Sequence, residues 1–152
     1  MDASDLRHKI QANEYEFNPF LLSDPDFQAL RAFEIKHEII NMNYGVLTVL
    51  NGKLPTATTS ALLETLKAQS KTTGLSSAEL LLSWANDRLD GVVVSSTSRS
   101  DRAVETVALF LSDHPTRLAD GVYDQIEQAA ARDGFEGKVF YKHRHMEAVV
   151  AA

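Results

Sequence analysis

The sequence predicts an α/β protein built on a parallel sheet of three strands. Short runs of alternating or apolar residues, over 10–17, 39–44 and 92–94, are separated by stretches with helical spacing. Parallel strands need such crossover connections. Val92-Val93-Val94 is a continuous β-branched run, the pattern of a parallel strand covered on both faces. The 152 residues make one domain the expectation, over 1–152, with an irregular polar tail from 135 to 152. A complete eight-stranded α/β barrel needs more chain, ~250 residues.

The elements follow in order. Residues 10–17 alternate with period two, placing Ala12, Glu14 and Glu16 on one face and Asn13, Tyr15 and Phe17 on the other. Asn18-Pro19 ends this strand, because Pro lacks a ladder donor and restricts the residue before it. Ser23-Asp24-Pro25-Asp26 starts a helix, with Phe27, Leu30, Phe33 and Ile35 roughly on one face and an end near His37. A second strand over 39–44 stops at Gly45, and Asn51-Gly52 and Pro55 mark a loop over 45–57. Thr59 or Ser60 caps the next helix, which Gly74 stops. Ser76 and Glu79 stand at capping-box spacing before Leu80-Leu81-Leu82-Ser83-Trp84-Ala85, a run apolar on more than one side and so buried. After the 92–94 strand comes a hydroxyl-rich loop to Ser100. A helix through Val104, Val107, Ala108 and Leu111 follows, then a last helix over 118–132.

Composition removes several function classes. There are no cysteines, so disulfides, cysteine-ligated zinc and thiol catalysis are excluded. A net charge of −6 without any Lys/Arg run argues against nucleic acid and anionic membranes. The acidic start and the lack of a long apolar stretch point to a soluble cytoplasmic protein. His143 and His145 have two-ligand spacing but no third ligand nearby, so no metal is expected. Asp113-His114 has no evident nucleophile partner, and the Ser95–Ser100 cluster lacks the glycines of a P-loop.

Taken together, several segments resemble the aldo-keto reductase family, most closely its fungal branch. Asn13-Glu14-Tyr15-Glu16-Phe17-Asn18-Pro19-Phe20-Leu21 resembles that family's sixth strand, and Asn43-Tyr44-Gly45-Val46-Leu47 the end of its seventh. Residues 76–85 and 91–110 resemble its seventh helix, eighth strand and phosphate-binding helix, with Arg102, Glu105 and Thr106 at its Arg-x-x-Glu-Asn pattern. The resemblance spans roughly 8–142 and implies a partial TIM barrel, made of the C-terminal β/α units. It implies that Tyr44 stacks on a nicotinamide ring and that Glu14 stands where a Gln bonds the carboxamide. Ser95, Ser96 and Thr97 would approach the adenosine 2′-phosphate, Arg102 would pair with it, and Glu105 and Thr106 would contact the adenine. An Arg fork suits phosphate, and a helix start favours an anion.

The departures matter as much. Glu14 replaces Gln, an acceptor-only group at neutral pH; Val46 replaces Pro, Ser96 a common Lys, and Thr106 an Asn. They imply that NADP(H) affinity is weak or lost. The motifs carrying that family's catalytic Asp, Tyr, Lys and His are not found, so no catalytic residue is assigned. The expectation is a truncated oxidoreductase by lineage, NADP(H)-linked and inactive alone, a pseudoenzyme. Two alternatives stand beside it: a non-redox scaffold or regulatory partner, and a repurposed small enzyme using Glu14 or Tyr44 for proton transfer. Arg102 also reads as a solvated surface charge, Tyr44 as packing, and Glu14 with Glu16 as a wet sheet face. Three strands leave two open edges, which invite pairing with a partner chain or a second copy.

Overall fold

The computed structural model describes residues 10–51, 59–89, 91–111 and 118–133. Its three strands, β1 (Ala12–Glu16), β2 (Ile40–Tyr44) and β3 (Gly91–Val93), form one parallel sheet in the order β1-β2-β3. Ala12 pairs with Ile40 and Glu16 with Tyr44; Asn41 pairs with Gly91 and Asn43 with Val93. Helix α1 (Pro25–His37) connects the first pair, and α2 (Ser60–Thr73) with α3 (Ser77–Arg88) the second. Helices α4 (Ser100–Leu111) and α5 (Asp120–Arg132) follow β3. The architecture is an open α/β sheet with helices around it, consistent with part of a TIM barrel. Among the described residues no helix is long and apolar enough to cross a membrane.

Local signals place most element ends. Asp24 caps α1 through its carboxylate, which accepts from Asp26 N and Phe27 N at 2.9 Å each, with Pro25 in the first turn. The Ser76/Glu79 capping box opens α3. Gly74 closes α2 with a left-handed φ of 77°. The start of α2 departs from expectation. Thr59 makes no side-chain cap, and Asp133, beyond the end of α5, accepts from Ala61 N and Leu62 N at 2.8 Å each. A carboxylate distant in sequence thus satisfies the orphan donors and ties α5 to α2.

The core lies between the sheet and the helices. Phe17 is sandwiched, stacked on Phe27 at 5.2 Å and on Trp84 at 4.9 Å between ring centroids. Trp84 is fully buried, as the run 80–85 predicts, and its indole N–H donates to Glu127 at 3.1 Å. Arg88 bridges α3 to α5, donating to Glu127 at 2.6 Å and Asp124 at 2.9 Å.

Three expectations are corrected. Phe33 and Ile35 of α1 are exposed, and the buried positions are Phe27 and Glu34. Glu34 lies inward because polar groups meet it there: Asn13 Nδ2 donates at 2.9 Å, Tyr15 OH at 3.0 Å and Arg31 Nη1 at 3.2 Å. The last strand is not covered on both faces. Val92 is 47% exposed, because the helices pack on the side of Asn41, Asn43 and Val93, while Ile40, Met42 and Val92 share the other side. Glu14 is exposed on that side, as a wet face requires, but Glu16 is buried, its side chain packed against Gly45. Residues 52–58 of the expected loop, His8, His114 and the tail with His143 and His145 lie outside the described residues.

Candidate functional site

The sheet's carboxyl end carries a groove. Tyr44 is the last residue of β2, and the ladder runs on past β3 through Val94 N, which donates to Asn43 O at 2.7 Å. The chain must then turn away, and Gly45 makes this possible. Its φ is 76°, and a Cβ there would sit 2.7 Å from Glu16 Cγ. Thr48–Leu50 then forms a short 3-10 turn that walls one side. The C-terminal ends of parallel strands are where α/β sheets and barrels place their ligands.

Two adjoining hollows make up the groove. One, of about 310 Å³, is lined by residues including Tyr44, Gly45, Val46, Thr48 and Val94. The other, of about 500 Å³, is lined by residues including Ser76, Glu79, Thr97, Arg102, Glu105 and Thr106. Leu47, Asn51, Leu82, Ser95 and Ser96 belong to both, so the two are continuous. Seven of the eight residues singled out from the sequence therefore meet in one groove: Tyr44 at one end, Ser95 and Ser96 in the middle, and Thr97, Arg102, Glu105 and Thr106 at the other. Glu14 is not among the lining residues. It lies on the open sheet face opposite Met42, one strand from the groove.

The ends differ chemically. The Tyr44 phenol is half-buried, and its pKa is raised by burial and then by the nearby carboxylates Glu16 and Glu14. At neutral pH it is an uncharged phenol. The other end is polar and exposed. Thr97 Oγ1 accepts from Arg99 N at 3.2 Å, which fixes the loop and leaves the hydroxyl proton to donate. Glu79 is held by its capping box, with Oε2 accepting from Ser76 N and Ser76 Oγ at 2.7 Å each. Among the described residues no cluster of three His, Asp or Glu side chains is placed to hold a metal ion.

The family resemblance did not single out Leu82, Asn51 or Glu79 as site residues. Leu82 floors both hollows although it reads as core, and Glu79 reads only as a cap. The Asn51-Gly52 turn signal was the one hint that this loop approaches the sheet end.

No protein-family model and no curated protein sequence matches the chain. Among solved structures, the chain is similar to a crystal structure of a Gox0644 point mutant in complex with NADPH, with a TM-score of 0.59 and 20% identity. The similarity covers 84% of this chain and 41% of that one, so the chain spans less than half of that protein's length. What the two share is the fold: an α/β unit of the kind seen in a protein crystallised with NADPH.

Proposed function

We propose that the groove is the cofactor cradle of an NADP(H)-linked oxidoreductase of aldo-keto reductase type. One observation carries this: a single groove at the carboxyl end of the sheet has an aromatic ring, Tyr44, at one end and a guanidinium, Arg102, at the other. The donor set fits a dinucleotide. Tyr44 offers a face for a flat ring, Ser95, Ser96 and Thr97 offer hydroxyls along the groove, and Arg102 offers a fork for phosphate. The crystallised neighbour, which binds NADPH, supports the same reading.

When bound, such a cofactor supplies or accepts a hydride. This chain's part is to hold and orient it, and Leu82, Val46 and Leu47 give the inner hollow apolar lining. Among the described residues Tyr44 is the one side chain lining the inner hollow that carries a titratable proton, and burial pushes its pKa further up from an ordinary value already well above neutral. Among the described residues that hollow offers no base, and a group for moving the substrate's proton must come from outside it. On this reading the described residues bind the cofactor and are inactive alone. NADPH fluorescence on titration into the protein tests it: saturable binding that Arg102→Ala and Tyr44→Ala both weaken is expected, and no binding at ~1 mM would remove the proposal.

A specific observation favours a second role, assembly with a further copy of the chain. Ile10, Ile40 and Val92 are exposed at 64%, 54% and 47%, the last two on the sheet side that no described helix covers. Covering these residues would bury apolar surface, and the edges of β1 and β3 offer ladder groups. Light scattering after size exclusion should give a dimer that Val92→Lys weakens; a monomer at all accessible concentrations would exclude it.

A further inference from the structure

We infer, on the strength of the dinucleotide assignment above, that the adenosine end of the groove does not select for a 2′-phosphate and takes the NAD(H) form, with its free 2′-hydroxyl, at least as well as NADP(H). Among the described residues the lining there carries one cation, Arg102, against two carboxylates, Glu79 and Glu105. The next cation along the chain, Arg99, is already engaged: its Nε donates to Asp101 Oδ1 at 3.1 Å and its Nη2 to Asp101 Oδ2. Asp101 stands in the first turn of α4, where a bound phosphate would look for free N–H groups. Arg99 holds the Asp101 carboxyl below its usual pKa, and the backbone N–H groups of Arg102 and Asp101 act the same way. The anion-attracting end of the helix therefore already faces an anion.

The two forms of the cofactor meet this environment differently. A 2′-phosphate brings about two negative charges at neutral pH, one more than Arg102 can neutralise, beside the carboxylates of Glu79 and Glu105, while the Arg99–Asp101 pair adds no net charge. A 2′-hydroxyl is a donor and needs an acceptor, the role that Asp or Glu plays for the ribose of unphosphorylated dinucleotides. Glu79, held in place through Oε2 by Ser76, and Glu105 both line this end, as do the hydroxyls of Ser96 and Thr97. Ser96, short and uncharged, is the position where one added cation would level the balance.

Parallel fluorescence titrations of NADPH and NADH into the unmodified chain test this. An NADH dissociation constant equal to or below that of NADPH supports the inference, and NADPH the tighter of the two overturns it while leaving the cofactor cradle standing. Failure of both dinucleotides to bind at ~1 mM removes the cradle and the inference together. Ser96→Lys should shift the NADPH-to-NADH preference toward NADPH by about tenfold, the effect of one added charge-assisted phosphate contact. An unshifted ratio would show that the phosphate does not lie beside residue 96, and would also overturn the inference.

Discussion

The hydroxyl of Tyr15, on β1, donates to the buried carboxylate of Glu34, on α1, at 3.0 Å. Glu34 is 1% exposed, and Asn13 and Arg31 complete its shell. This polar contact fixes the first helix against the first strand where an apolar contact would leave the helix free to rotate. It also ties stability to pH.

Burial, followed by the bond to Glu34, pushes the Tyr15 phenol up to about 12 from its ordinary 10.0. The folded-state pKa is raised, so the folded protein holds this proton where the unfolded chain releases it. The stabilisation is complete below about pH 10 and is lost as pH rises toward 12. Urea melts of the wild type and Tyr15→Phe at pH 8 and pH 11.5 should show a smaller alkaline loss in the variant. The variant should also lose about 1–2 kcal/mol at pH 8, from one bond to a charged acceptor. Equal alkaline losses in the two proteins would contradict the assignment.

Phe17 is fully buried between Phe27 and Trp84, the sole tryptophan of the sequence. Phe17→Ala removes the middle ring of three and should destabilise by about 3–5 kcal/mol. Trp84 emission reports both outcomes: a blue-shifted spectrum in the wild type, and a red shift at lower denaturant in the variant.

Asp133→Ala should lower stability by about 1–2 kcal/mol, although residue 133 lies 71 positions from one of its partners. Asp133→Asn should recover part of this, since an amide oxygen still accepts from one N–H. A thermal melt unchanged in the alanine variant would show that the N–H groups of Ala61 and Leu62 find water instead.

Gly45→Ala combines a left-handed φ with a Cβ 2.7 Å from Glu16 Cγ, so it should cost about 1–3 kcal/mol. Because Gly45 and Tyr44 line the same hollow, dinucleotide affinity should fall as well. Wild-type stability and binding in this variant would mean that the turn after β2 has room to move.

The sequence by itself determined the sequence of elements and most of their ends. Asp24-Pro25, the Ser76/Glu79 box and Gly74 act through neighbours within a few residues, so their chemistry can be read locally. The family resemblance of its motifs also marked seven of the residues that line the groove. The tertiary structure alone decided the rest. The periodicity of α1 pointed to Phe33 and Ile35 as inward, yet Glu34 is buried, because Asn13, Tyr15 and Arg31 satisfy its charge there. The α2 cap came from Asp133, and Glu14 and Glu16 parted ways although they share a strand face. Each of these depends on which distant groups arrive at a site, and a pattern of hydrophobicity along the chain carries no record of that.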